Sequence, residues 1–152
     1  MEVRSGGSSV EVSGVVFQIG RALLEEIGAH ARAASPAECC GLVGGRAGRA
    51  RSVYRLTNVA RDALTSYEGE PGELFGAQRA MRERGEELIA IYHSHPRSAM
   101  PAPSERDVRL AYYPEAVHLI VGFAGGEAVV RAFRLYESER RWEGVEYEVA
   151  EE

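Results

Sequence analysis

The chain has 152 residues, 45% of them hydrophobic, enough to bury one substantial core, and it reads as a single domain. Its formal charge is −5 and its pI about 5.5, with no strongly basic stretch, so no nucleic-acid partner is expected. No apolar run approaches the roughly 20 residues that span a bilayer, and the polar start, Met1 to Ser13, lacks a signal-peptide pattern. The expectation is therefore a cytoplasmic protein with no membrane association.

In chain order, residues 1–14 contain Ser5-Gly6-Gly7-Ser8-Ser9 and are expected to form a flexible N-terminal arm, with the domain in residues 15–152. Residues 15–19 read as a short strand. Residues 21–34 read as a helix whose apolar stripe is Leu23, Leu24, Ile27 and Ala31. His30 on that helix is read as a surface or packing residue. Pro36 marks a turn into a strand that carries Glu38, Cys39 and Cys40. Adjacent cysteines on a strand face opposite ways, so a disulfide between them is not expected. No C-x-x-C is present, and both read as small buried residues, with a redox-sensitive thiol as the alternative.

Gly44, Gly45 and Gly48 read as a hairpin turn, followed by a returning strand over residues 50–59. These glycines match neither a phosphate-binding loop nor a dinucleotide fingerprint. An irregular connection is expected over 58–72 and a second helix over 73–84, ended by Gly85. Residues 88–93 read as a buried strand stopped by Pro96. A short helix is expected over 104–111, then strands over 116–123, 127–136 and 142–149, with Gly125-Gly126 as a tight turn. His118 lies inside the first of these three strands and is read as a core or edge residue, with a supporting position behind the metal ligands as the alternative. The order is β-α-β-β-α-β-α-β-β-β, a mixed sheet with helices packed on it.

The chemistry concentrates around Ile91-Tyr92-His93-Ser94-His95-Pro96. Side chains alternate along a strand, so His93 and His95 leave the same face and can converge on one ion. Asp107 follows in the next helix. Ser104 is at its N-cap and Asp107 at N3, so a capping box explains both without a metal. That account leaves the histidine pair unexplained. With Asp107 as a third ligand, two imidazoles and one carboxylate leave a fourth tetrahedral position for water, as in catalytic zinc sites. Zincin, zinc-deaminase, metallo-β-lactamase and cupin patterns fit poorly.

His93-Ser94-His95-Pro96 followed by Ser104-x-x-Asp107 resembles the signature of the JAMM (MPN+) zinc metalloproteases. Pro36-Ala37-Glu38-Cys39-Cys40-Gly41-Leu42 resembles the glutamate-bearing strand of the same family. Seven residues, Arg97 to Pro103, separate Pro96 from Ser104 where the family usually has six, and a bulge in this proline-rich loop is expected. The resemblance implies the α/β MPN fold, a curved mixed β-sheet with flanking helices. It implies one catalytic zinc held by His93, His95 and Asp107, with Glu38 as general base and Ser104 as oxyanion donor. The short connections are similar to those of small prokaryotic JAMM proteins. That likeness implies a peptidase or isopeptidase acting at the Gly-Gly tail of a ubiquitin-like or sulfur-carrier protein. The alternatives are a non-catalytic MPN scaffold and a hydrolase of small amides.

Overall fold

The computed structural model describes residues 15–111 and 116–151. The expected N-terminal arm and the connection at 112–115 lie outside the described residues. The elements are β1 (Val15–Gly20), α1 (Arg21–Ala34), β2 (Cys40–Arg46), β3 (Arg49–Leu56), α2 (Pro71–Glu83), β4 (Glu87–Ser94), α3 (Glu105–Arg109), β5 (Val117–Gly122), β6 (Val129–Tyr136) and β7 (Arg141–Ala150). This is the order read from the sequence.

The sheet is mixed and closes on itself in the order β1-β3-β2-β4-β5-β6-β7. Strand β1 closes it by running parallel to both β3 and β7. Strands β4 and β5 are also parallel, and the remaining pairs are antiparallel. Period-two alternation divides the core. Ala90 and Tyr92 of β4 and Val117, Leu119 and Val121 of β5 enter one cluster, which Ile27 and Ala31 of α1 cover. Ile91 faces the opposite way, against Ala77 and Met81 of α2. Ile120 packs with Val108 of α3. The functional residues of β4 therefore emerge on the side occupied by α2 and α3.

Several boundaries differ from the sequence reading. Glu38 is not in a strand, because β2 begins at Cys40. The turn between β2 and β3 is Ala47-Gly48, both at positive φ (54° and 74°), while Gly44 and Gly45 lie within β2 at a register shift. That two-residue geometry matches the right-handed twist of paired strands. Strand β3 stops at Leu56, because Asn58 turns its side chain to backbone groups: its amide donates to the carbonyls of Glu38 and Ser66, and its Oδ1 accepts from Ala60 and Glu68 N–H. Helix α2 starts earlier, at Pro71. Glu70 caps it by accepting from Glu73 N–H, and proline at the first turn needs no N–H partner. The turn after β5 is wider than a two-residue hairpin, with β6 starting only at Val129.

Two glycines decide close approaches near the site. A Cβ on Gly41 would enter the ring of Tyr92, which is fully buried. A Cβ on Gly122 would meet the Ser98 carbonyl, so glycine lets the 97–103 loop lie against the end of β5. His95 N–H donates to the Val121 carbonyl at 2.8 Å, and Arg131 donates to the Pro101 carbonyl at 2.8 Å. The longer loop is thus tied down at both ends.

Candidate metal centre

His93 is the seventh residue of β4, faces Cys40 in the β2 register and is fully buried. Ser94, between the histidines, points away and accepts a hydrogen bond from Cys39 N–H at 2.8 Å, while its own N–H donates to the Cys39 carbonyl. This stitch fixes the segment before β2 against the end of β4. Glu38 is held from its other side, donating its N–H to the Ala63 carbonyl and accepting from Asn58. Donor atoms of Glu38, His93 and His95 consequently all lie within 4.8 Å of one another.

Asp107 arrives from α3. The capping box forms in full: Ser104 Oγ accepts from Asp107 N–H at 3.0 Å, and Asp107 Oδ2 accepts from Ser104 N–H at 2.8 Å. The same Oδ2 lies 3.2 Å from His93 Nε2 and 3.1 Å from His95 Nε2. The two Nε2 atoms are 3.2 Å apart. The capping and ligand readings of Asp107 are therefore compatible, since the cap aims the carboxylate at the histidines.

This triangle fits a metal. Donors about 2.0–2.1 Å from a tetrahedral centre stand about 3.3–3.4 Å from one another. The three measured separations are close to that value. No metal ion is part of the structure, and the fit rests on the donor geometry and donor chemistry.

The two carboxyls occupy opposed electrostatic settings. Burial pushes the Asp107 carboxyl up, but hydrogen bonds with His93 and His95 outweigh it and hold the group well below the usual carboxylate range. Burial raises Glu38 to about 7; the His95 and Arg106 charges pull it down, and the Asp107 charge pushes it up. Its Oε1 is buried without a hydrogen-bond partner. One carboxylate is thus kept ionised beside the imidazoles while the other exchanges a proton near neutral pH, the division that acid–base chemistry uses. Burial lowers the His93 pKa and favours the neutral ring a metal requires. Burial also lowers His95, but its hydrogen bond and charge interaction with Asp107 prevail, and the net shift in the metal-free protein is upward.

The fold brings Glu38, His93, His95 and Asp107 together, and Ser104 joins them through its cap on Asp107. Sequence reasoning missed three supporting residues: Ser94, Asn58, and Tyr67, whose ring stacks on His93 at 4.4 Å. An asparagine leaving a strand is a turn signal that pointed to Asn58. Ser94 and Tyr67 act through contacts with no local signature. His30 is a packing residue, with Nδ1 2.7 Å from the Tyr92 hydroxyl. Cys39 and Cys40 are free and buried, and burial pushes their thiols up to about 11 and about 12.

The family described as prokaryotic homologs of the JAB domain matches residues 20–136. The chain belongs to this family. A probable TtuB-protein conjugate cleaving protease from Thermus thermophilus is 39% identical over 135 residues, covering 88% of this chain and 86% of that protein. A CysO-cysteine peptidase from Mycobacterium tuberculosis is 38% identical, covering 70% and 73%. A crystal structure of a JAB1/MPN domain protein from Archaeoglobus fulgidus superimposes with a TM-score of 0.61 at 25% identity, covering 88% of this chain and 99% of that one. Membership of the JAB family accounts for the mixed sheet with flanking helices. Among the described residues, no helix is long and apolar enough to cross a membrane.

Proposed function

We propose that this JAB-family chain is a zinc-dependent peptidase that hydrolyses the amide bond following the C-terminal Gly-Gly of a ubiquitin-like or sulfur-carrier protein. The observation that carries the reading is the set of His93, His95 and Asp107 donors separated by 3.1–3.2 Å, with the unpartnered Glu38 carboxyl beside the histidines.

His93, His95 and Asp107 would hold the zinc ion, which would supply Lewis acidity toward a water and the scissile carbonyl. Glu38 takes a proton from the attacking water and passes it to the leaving amine as the C–N bond breaks. Burial holds this carboxyl at about 7 in the metal-free protein, and a neighbouring cation would pull it down. Ser104 Oγ is an acceptor in the cap, which leaves its O–H free to donate to the developing oxyanion. Access is narrow: the side chains of His93 and Asp107 are 0% and 5% exposed and that of His95 is 17% exposed. A tail of two glycines is slender enough for such an opening. The names of the relatives, one a protease of TtuB–protein conjugates and the other a peptidase of CysO-cysteine, support this substrate class.

The test is cleavage of a carrier protein extended beyond its Gly-Gly end, assayed with zinc, with chelator and after zinc is restored, beside a panel of small amides. Chelator-sensitive, zinc-restored cleavage at Gly-Gly is the expected result. Cleavage of the small amides alone would favour a small-amide hydrolase. A zinc-loaded protein that cleaves nothing yet binds the carrier would favour a scaffold.

A further inference from the structure

A cavity of about 520 Å3 adjoins the metal centre and shares Asp107 with it. That volume suits a small ligand or one amino-acid residue. Leu42, Leu56, Leu74 and Ile91 line it. Ser66, Tyr67, Glu68, Arg106, Asp107 and His118 interrupt this apolar lining. His118 of β5 is 3% exposed, and neither of its ring nitrogens has a hydrogen-bond partner. Arg106, the residue before Asp107, is exposed, and its guanidinium makes no hydrogen bond or ion pair among the described residues. Arg106 lines the same cavity as Asp107, its neighbour in the chain.

We propose that Arg106 recognises the free α-carboxylate of an amino-acid leaving group, so that the preferred substrate carries a single amino acid after Gly-Gly. The inference rests on the peptidase reading above and selects between the two kinds of attachment named for its relatives. An α-carboxylate lies two bonds from the leaving nitrogen. Hydrolysis adds water across the C–N bond, and the amino acid departs with its amine and its carboxylate. A guanidinium offers a planar fork for a carboxylate. A lysine side chain joined through its ε-nitrogen brings only methylenes to that position. Two carboxylates oppose an anion here. Glu68, exposed, and Asp107 both line the cavity, and a bound divalent cation would offset the Asp107 charge.

The test uses two peptides of the same carrier-tail sequence, each ending Gly-Gly-Ala, one with a free C-terminal carboxylate and one with a carboxamide. Zinc-loaded wild type, Arg106→Gln and Arg106→Lys are assayed on both. The expected kcat/KM ratio of acid to amide is at least about tenfold for wild type, near one for Arg106→Gln and intermediate for Arg106→Lys. The same peptides are titrated calorimetrically into Glu38→Gln protein, which reads recognition without turnover. A wild-type ratio of one overturns the inference, as does a preference for the amide, the result if Glu68 dominates. A ratio unchanged in Arg106→Gln also overturns it. If neither peptide is cleaved, tighter binding of the acid that Arg106→Gln abolishes upholds the recognition and refutes only the peptidase reading. Equal binding of acid and amide overturns the recognition itself.

Discussion

Replacing Glu38 by Gln removes a charge and a proton carrier while nearly preserving side-chain volume, so it separates catalysis from metal binding and from packing. Loss of a positioned general base lowers kcat by about 10²–10⁴-fold. Zinc content is expected to be unchanged, because His93, His95 and Asp107 remain. The substitution also has a stability signature. The Glu38 carboxyl moves from 4.5 to about 7 on folding, and each pH unit is worth about 1.36 kcal/mol. The upper bound is about 3 kcal/mol, and partial solvation reduces it to about 2 kcal/mol. A raised carboxyl pKa favours the folded state while the group is protonated. Its contribution is complete below about 4.5 and is lost as pH rises through about 7. Metal-free wild type therefore loses about 2 kcal/mol from this group between those limits, and Glu38→Gln does not. Urea unfolding of both metal-free proteins at pH 5 and pH 8 measures the difference. The variant should gain on wild type at the higher pH. Parallel pH dependences, or a fully active variant, would refute the electrostatic account of Glu38.

Other perturbations test the supporting structure. Ser94→Ala leaves the buried Cys39 N–H without its acceptor; the expected cost is about 1–3 kcal/mol by urea unfolding, with lowered turnover and zinc retained, and an unchanged unfolding midpoint would count against the stitch between segments. Gly41→Ala drives a methyl group into the Tyr92 ring, and a thermal melt should show a loss of about 1–3 kcal/mol; a neutral result would mean that the ring moves aside freely. In the pH–rate profile, the acidic limb should lie at or below about 7, since activity needs the Glu38 carboxylate and a neighbouring cation pulls its pKa down; activity still rising as the pH falls below that limb would exclude Glu38 as the base. Cys39 and Cys40, 1% exposed each with thiols at about 11 and about 12, should resist iodoacetamide at pH 8 until the protein is unfolded. Mass spectrometry before and after denaturation reads that directly.

Much of the site was legible because its chemistry is local in sequence. The run Ile91 to His95 declares both a buried strand and two histidines on one face, and Ser104-x-x-Asp107 declares a cap that also aims a carboxylate. The element order followed from hydrophobic periodicity punctuated by glycine and proline. What was not legible depends on distant partners. Closure of the sheet needs β1 beside β7, a pairing across nearly the whole chain that no local pattern encodes. Asn58 ends β3 through hydrogen bonds to residues on both sides of it in sequence, and propensity alone carried that strand too far. Glu38 reads as a strand residue from its neighbours, yet Asn58 and the Ala63 carbonyl hold its backbone outside the ladder. Ser94 reads as a spacer between two histidines, and only the Cys39 contact gives it a task.

The central claim is that His93, His95 and Asp107 hold one divalent metal ion. Elemental analysis of protein purified without chelator, wild type beside Asp107→Ala, tests it most directly. About one zinc per chain in the wild type and little in the variant is the predicted result. No metal in the wild type after zinc is added back, or equal zinc in both proteins, would contradict the account.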